Sequence, residues 1–176
     1  MQKKACLYIR NHVILAILLL ISLCSVAQES KVESKAYSRM LNTLLKHSVN
    51  EVSVTEAAQA KDVIFIDSRE KQEYEVSHIQ DAKWVGYDDF NMNRLKEVPK
   101  DRKIIVYCSV GARSENISLK LEEAGYKDVS NLYGGIFEWV NQGYPVYNTE
   151  GQTNKVHPYN MLWGVWLNKG EKSKEK

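Results

Sequence analysis

Cysteine is scarce in this sequence and unevenly placed. Of the three cysteines in 176 residues, Cys6 and Cys24 lie near the N-terminus, and only Cys108 lies in the body of the chain. Removal of residues 1–27 as a signal peptide would leave Cys108 as the one cysteine, so no internal disulfide could form. This excludes a small scaffold stabilised by disulfides. A lone cysteine is unusual in an exported protein, because oxidising compartments favour paired cysteines. Cys108 is therefore either a buried apolar residue or a reactive one.

Neither sign of charge dominates the sequence. The 24 Lys and Arg residues nearly balance the 22 Asp and Glu residues, and charge is concentrated only at residues 169–176. A protein that binds nucleic acid would carry a basic face or stripe, so no nucleic-acid partner is expected. The charged C-terminal run is most simply a solvated tail.

Apolar runs long enough to span a bilayer are also missing. The longest run, residues 13–23, has eleven residues including one serine, whereas a transmembrane helix needs about 20. Basic residues precede this run, and small residues at positions 25 and 27 follow it, which is typical of a secretory signal peptide cut after Ala27. The sequence therefore predicts a signal peptide over residues 1–27 and a periplasmic or extracellular protein.

Two other interpretations of the N-terminus stay open. Residues 20–24 resemble a lipoprotein cleavage site with Cys24 as the lipidated residue, although Leu23 is bulkier than is usual there. Alternatively, the apolar run stays uncleaved as a membrane anchor. Contact with a membrane is expected only in these two cases.

The rest of the chain has the length of one domain. In residues 28–50, apolar side chains three and four positions apart predict an amphipathic helix. Residues 51–146 alternate apolar runs with helical patterns, which predicts an α/β domain whose central, mostly parallel sheet carries helices on both faces. Residues 147–176 form an aromatic C-terminal extension with a charged tail. The aromatic side chains are expected to pack back on the domain, with contact to a partner or a membrane surface as the alternative.

Two apolar runs indicate the central strands of that sheet. Residues 63–66 and residues 103–107 are continuous and rich in β-branched side chains, which suits strands buried on both faces. A short strand over residues 52–54 is also predicted, with Thr55 as the cap of the next helix. A further helix is predicted over residues 114–124.

A cysteine-containing loop follows the second of these strands. Ligands of open parallel sheets bind beyond the carboxyl ends of the strands, and loop N–H groups beside a helix N-terminus can stabilise an anion there. The same dipoles and a nearby arginine favour the thiolate of Cys108, which makes it the candidate nucleophile. Gly111 allows backbone angles that other residues avoid. The candidate binding residues of the loop are Ser109, Val110, Gly111, Ala112, Arg113 and Ser114.

Three motifs in this order resemble the signatures of the rhodanese domain across residues 51–146. The residues that carry the resemblance are Asp67-Ser68-Arg69 with Glu73-Tyr74 and His78-Ile79, the loop Cys108-Ser109-Val110-Gly111-Ala112-Arg113-Ser114, and Gly134-Gly135 with Trp139. The resemblance implies a rhodanese-like fold and a sulfurtransferase that needs no cofactor. Its sulfane sulfur would come from thiosulfate, a persulfide or a polysulfide, form a persulfide on Cys108, and pass to a thiol or cyanide. A thiol-redox protein is a further candidate partner.

The remaining motif residues have more than one interpretation. Asp67 and Arg69 are interpreted as supporting residues that form a structural ion pair. Arg113 is expected either to face the pocket or to turn back to a carboxylate such as Asp67 or Glu73. Val110 and Glu73 stand where the thiosulfate enzymes of the family carry basic residues, so a persulfide or polysulfide donor, which needs less positive charge, is an alternative to thiosulfate.

Two competing functions are considered. A phosphatase or arsenate reductase would also use a cysteine and an arginine, but such loops place one residue more between them than the four found here. The other is a non-catalytic binding or redox-sensing module, in which Cys108 is oxidised or purely structural. No metal is expected, because neither His47 nor His157 stands at metal-ligand spacing from His78.

Overall fold

The computed structural model of the protein describes residues 31–173. The expected signal peptide, together with Cys6 and Cys24, lies outside the described residues. Between residues 31 and 173, no helix is long and apolar enough to cross a membrane.

A five-stranded parallel sheet forms the centre of the domain. In chain order its strands are β1 (Glu51–Val52), β2 (Ile64–Asp67), β3 (Lys83–Trp84), β4 (Lys103–Tyr107) and β5 (Asp128–Leu132). Their order across the sheet is β1-β5-β4-β2-β3, and every neighbouring pair is parallel. The prediction of an α/β domain with a parallel sheet is confirmed, and Cys108 directly follows its central strand.

Helices cover both faces of this sheet. They are α1 (Lys35–Leu44), α2 (Val54–Gln59), α3 (Lys71–Val76), a 3-10 helix (Met92–Leu95), α4 (Ala112–Glu123), α5 (Gly135–Asn141) and α6 (Met161–Gly164). Strand β4 shows the two layers, because Ile105 and Tyr107 belong to a core with apolar residues of α1, α2 and α5. Ile104 and Val106 belong to a second core with residues of α4 and the 3-10 helix. Burial on both sides explains why this strand reads as one continuous apolar run.

The C-terminal extension folds back on the domain. It contains β6 (Val146–Asn148) antiparallel to β7 (Gly151–Thr153), and β8 (Lys155–Val156) parallel to β9 (Glu171–Lys172). The ring of Trp166 stacks on that of Tyr37 with centroids 5.2 Å apart. The buried Asn141 amide donates to the carbonyl oxygen of Trp166 at 2.8 Å and accepts from the backbone N–H of Asn168 at 2.7 Å. Helices α1 and α5 thus hold the extension in place.

Two local predictions are wrong, and both errors concern helix caps. Ser53, not Thr55, caps α2, since its hydroxyl accepts from Glu56 N–H at 3.2 Å while the Glu56 carboxylate accepts from Ser53 N–H at 2.8 Å. The capping box uses the N–H of Ser53, which is then not paired with a neighbouring strand, and β1 ends at Val52. Helix α4 begins at Ala112 instead of residue 114. The reason is that Gly111, the N-cap, has a non-helical backbone with φ +119°, and the helical conformation starts directly after it.

Candidate active site

Cys108 lies at the bottom of a small cavity. Its side chain is buried, with 1% of the residue exposed, and its Sγ accepts a hydrogen bond from the N–H of Gly111 at 3.1 Å. The cavity has a volume of about 140 Å³. It is lined by Cys108, Ser109, Val110, Ala112, Arg113, Tyr159 and Trp163. Cys108 therefore borders a space that a ligand can enter, which a cysteine sealed in the core would not do.

The N-terminus of α5 sets the orientation of the cysteine loop. Ile136 N–H donates to the carbonyl oxygen of Cys108 at 2.9 Å, and Phe137 N–H donates to that of Ser109 at 3.1 Å. In a trans peptide the N–H points away from the C=O. The N–H groups of Ser109 and Val110 consequently point away from α5. They are available to donate hydrogen bonds to an anion.

Gly135 permits this close approach of α5 to the loop. A Cβ atom there would lie 2.4 Å from the carbonyl oxygen of Cys108 and 2.6 Å from that of Ser109. We expect Gly135→Ala to displace the loop and, if Cys108 carries sulfane sulfur as the rhodanese resemblance implies, to slow its loading by about 100-fold, because small displacements at a reacting group are costly. Intact-mass time courses with a sulfane-sulfur donor would measure this.

Gly143→Ala is the matched control for that substitution. Gly143 also has a positive φ, +87°, but a Cβ there would meet nothing within 4 Å. Both variants carry the backbone strain of about 1–2 kcal/mol for a non-glycine residue in this region. Equal loading rates in the two variants would show that the contact at Gly135 is irrelevant to the loop.

A buried amide fixes the other end of the loop. The Asn131 side-chain amide donates to the carbonyl oxygen of Gly111 at 3.0 Å, and the Ser114 hydroxyl lies 2.6 Å from Asn131 Oδ1. Ser114 is fully buried, so it supports the loop from behind and does not line the cavity. Asn131 was not identified from the sequence, although a polar residue within β5 is a signal that could have found it.

Arg113, Glu73 and Ser109 form a connected polar group beside the cysteine. The guanidinium of Arg113 donates to the two carboxylate oxygens of Glu73 at 2.7 and 2.8 Å, and to the Ser109 hydroxyl at 3.0 Å. Ser109 in turn donates to Glu73 at 3.0 Å. Arg113 therefore turns back to a carboxylate while still lining the cavity, so much of its positive charge is neutralised.

This pairing changes the acidity of Glu73. Burial by itself would raise the pKa of Glu73, but the hydrogen bonds and the charge of Arg113 lower it below the ordinary value of 4.5. Burial would likewise lower the pKa of Arg113, but the hydrogen bonds to Glu73 and the negative charges of Cys108 and Glu73 raise it overall. The pair is thus ionised in the folded protein at neutral pH.

The lowered pKa of Glu73 predicts a pH-dependent contribution to stability. A carboxyl with a depressed folded pKa stabilises the fold above its unfolded pKa, and this stabilisation is lost as the pH falls through the folded pKa. We expect Glu73→Gln to lower the free energy of unfolding by about 1.5–3 kcal/mol at neutral pH. The difference from wild type should shrink below about pH 4.5, where the unfolded chain binds the proton.

Urea unfolding across this pH range would measure the difference. Glu75→Gln is the control, since Glu75 is exposed and lies 3.7 Å from Lys71 across a surface pair. A difference between wild type and Glu73→Gln that is constant from neutral to acidic pH would contradict the ionised pair.

Asp67 and Arg69 form a fully buried ion pair at the end of β2. Both residues are 0% exposed, and Arg69 Nη2 lies 2.6 Å from Asp67 Oδ2. The same Nη2 donates to the carbonyl oxygen of Ser77 at 2.6 Å, which ties the C-terminal end of α3 to β2. Because α3 carries Glu73, the pair supports the site without entering the cavity.

His78 has a structural role beside the site, because its contacts are with Tyr74 of α3. Its ring stacks on that of Tyr74 with centroids 3.9 Å apart, and its Nδ1 lies 2.9 Å from the carbonyl oxygen of Tyr74. Between residues 31 and 173, no three His, Cys, Asp or Glu side chains are grouped so that they could hold a metal ion.

Two aromatic residues of the C-terminal extension complete the cavity. Tyr159 and Trp163 line it together with the loop residues, and the Tyr159 ring lies 4.6 Å from the guanidinium carbon of Arg113. The sequence indicated aromatic side chains that pack on the domain, but not that two of them line the cysteine cavity. Their position depends on the path of a chain segment about 50 residues after Cys108.

A comparison with protein families shows the family of this chain. Residues 52–142 match the model of the rhodanese-like domain. The chain belongs to the rhodanese family. The matched region contains the cysteine loop, the Asp67–Arg69 pair and Gly135, whereas Tyr159 and Trp163 of this rhodanese lie outside it.

Similar proteins support the same family. A sulfurtransferase of Allochromatium vinosum is 37% identical over 94 residues, which cover 53% of this rhodanese and 87% of that protein. A tRNA uridine(34) hydroxylase of an Enterobacter species is 38% identical over 94 residues, but the match covers only 27% of its length. The likeness to the hydroxylase thus concerns one part of that enzyme.

A solved structure shares the fold of this chain. The BH2092 protein of Bacillus halodurans superimposes with a TM-score of 0.53 and 24% identity, over 66% of this chain and 86% of that one. At this identity the likeness concerns the fold alone.

Proposed function

We propose that this rhodanese is a sulfurtransferase that carries sulfane sulfur as a persulfide on Cys108. The observation that carries the proposal is the placement of Cys108 Sγ in an accessible cavity, 3.1 Å from the backbone nitrogen of Gly111. Family membership and the sulfurtransferase relative support sulfur transfer in general.

The proposed reaction has two halves, each a displacement at sulfur. The Cys108 thiolate attacks the sulfane sulfur of a donor; a new S–S bond forms, the donor's bond to that sulfur breaks, and its electron pair leaves with sulfite or a thiolate. Cyanide or a thiolate then attacks the outer sulfur of the persulfide and takes it away as thiocyanate or a new persulfide. The Cys108 thiolate is thereby restored without any oxidant, reductant or cofactor.

The loop is suited to hold the negative outer sulfur of a persulfide. Gly111 N–H already donates to Sγ, and the N–H groups of Ser109 and Val110 point away from α5. Preorganised donors of this kind stabilise charge that develops during a reaction. The N-terminus of the twelve-residue α4 adds a partial positive charge on the same side of the loop.

The charge balance of the cavity supports donors other than thiosulfate as well. Arg113 is the basic residue that lines the cavity, and Glu73 holds it in a two-point ion pair. A dianion such as thiosulfate gains little from an arginine that is already neutralised. A phosphatase is disfavoured for the same reason, because its arginine must bind the oxyanion directly.

Intact-mass spectrometry of the purified protein tests the proposal. After incubation with thiosulfate, a polysulfide or an organic persulfide, we expect a gain of one sulfur atom, followed by its loss on addition of cyanide or glutathione. Thiocyanate should appear in proportion when cyanide is the acceptor. If no donor adds sulfur, the protein is better described as a binding or redox-sensing module, and oxidation of Cys108 by peroxide would then be the assay to follow.

Export is also part of the proposal and rests on the pattern of residues 1–27. A periplasmic or extracellular protein that begins after Ala27 is expected. N-terminal sequencing of the protein made in a secreting host measures this, and a lipid on Cys24 or an intact N-terminus would instead indicate a membrane-anchored form.

A further inference from the structure

Exposed apolar side chains are concentrated in the segment that contributes Tyr159 and Trp163 to the cysteine cavity. In the part of the chain from residue 31 to residue 173, all the exposed large hydrophobic side chains lie within residues 159–165. They are Tyr159, Met161, Leu162 and Val165, with 42%, 86%, 81% and 60% of their surface exposed. Of these four residues, Tyr159 alone lines the cavity.

The backbone holds this segment in a defined conformation. Tyr159 has φ +64°, a left-handed conformation that is costly for a residue with a bulky side chain. Its N–H donates to Nδ1 of His157 at 3.1 Å, and the Asn160 side chain caps α6 by accepting from Trp163 N–H at 3.1 Å. Such strain is retained where the surroundings enforce it, and here it aims the Tyr159 ring over Arg113.

The cavity behind these rings has the size and chemistry of a site for a small flat group. Val110, Ala112, Tyr159 and Trp163 give it apolar walls. Its volume of about 140 Å³ is close to that of an apolar cavity of about 150 Å³ that binds benzene. Glu73 offsets the positive charge of Arg113. Next to the sulfur that reacts with Cys108, the cavity therefore favours an apolar part of the donor over a second negative charge.

We propose that Tyr159 and Trp163 are specificity-determining residues that select sulfane-sulfur donors with a flat apolar group and a single negative charge. The proposal rests on the proposed sulfurtransferase function and adds the donor class to it. An aryl thiosulfonate is the simplest donor of this kind, and thiosulfate is the disfavoured comparison. The selecting residues belong to the C-terminal extension, outside the region that matches the rhodanese family.

The chemistry with such a donor balances without another reactant. The Cys108 thiolate attacks the terminal sulfur of the thiosulfonate, the S–S bond of the donor breaks, and the electron pair leaves on an aryl sulfinate. Both the persulfide and the sulfinate carry one negative charge, as did the thiolate and the donor. The aryl group stays on the sulfinate, so the aromatic walls act on the donor and not on the stored sulfur.

Three donors of graded character test the inference. Because the two half-reactions are separate, kcat/KM for the donor, measured with cyanide as acceptor, reports the loading step. We expect benzenethiosulfonate to exceed methanethiosulfonate by about tenfold in the wild type, from ring contacts of the strength found for aromatic pairs. Trp163→Ala should lower kcat/KM for benzenethiosulfonate more than it lowers kcat/KM for methanethiosulfonate or thiosulfate, so that most of that advantage is lost.

Three further variants separate the effect of the aromatic rings from a general loss of activity. Tyr159→Phe keeps the ring and should keep the preference, whereas Tyr159→Ala should reduce it. Leu162→Ala is the matched control in the same segment, since Leu162 is 81% exposed and does not line the cavity. This variant should retain the preference and the rates.

The outcomes are distinguishable from a failure of the proposed function. If all three donors load Cys108 and the two thiosulfonates fall in parallel in Trp163→Ala, the proposed function stands and the selectivity is overturned. A wild type that prefers thiosulfate or methanethiosulfonate would overturn it as well. If no donor loads Cys108 in the wild type, the proposed function fails and the inference fails with it.

Discussion

Cys108→Ser is expected to abolish sulfur loading and to lower thiocyanate formation by about a thousandfold or more. Loss of a reacting nucleophile costs factors of this order, because the remaining binding interactions cannot form the covalent intermediate. The hydroxyl of serine is a far weaker nucleophile and cannot hold a sulfane sulfur as a persulfide. Stopped assays of thiocyanate, together with intact mass, measure both effects on one sample.

Two features make this variant easy to interpret. Cys108 is the one cysteine in residues 31–173, so a sulfur gained by that part of the wild type can be assigned to it. Cys108→Ala is the matched control, since it removes the nucleophile without adding a hydroxyl group. Turnover by both variants at a rate near that of the wild type would show that the reaction does not pass through Cys108.

The largest effect on stability is expected from Asp67→Ala. Arg69 would then be a fully buried cation without its partner, and its Nη1 already lacks a hydrogen bond to any residue between 31 and 173. Removal of one member of a buried ion pair costs about 3–5 kcal/mol, because the other charge stays desolvated and unpaired. Urea unfolding at neutral pH would measure this loss.

Two controls identify burial as the cause of that loss. Glu75→Ala removes a partner from an exposed surface pair with Lys71 and should cost no more than about 1 kcal/mol. A double variant in which Asp67 and Arg69 are replaced by Leu and Met removes both charges and should be more stable than Asp67→Ala alone. If Asp67→Ala matches the exposed control, the pair contributes nothing through burial.

The elements of the fold could largely be predicted, because they depend on local patterns. The continuous apolar run of residues 103–107 is β4 as predicted, and the spacing of apolar residues near position 40 corresponds to α1. The two errors concern the residues at which helices α2 and α4 begin. At α2, the position of one hydroxyl decides which of two nearby residues is the N-cap. Ser53 and Thr55 both have suitable side chains, but only Ser53 has Glu56 three residues later to complete the capping box.

The sequence by itself determined the candidate nucleophile, its loop and the family, since these reside in contiguous residues with a fixed spacing. It left open whether Arg113 faces the pocket or turns back to a carboxylate such as Asp67 or Glu73. Tertiary structure decided that choice for Glu73, and it brought Asn131, Gly135 and the aromatic extension to the loop. These contacts join residues far apart in the chain, and no local pattern encodes a distance between them. Packing therefore decides which residues outside the loop surround Cys108.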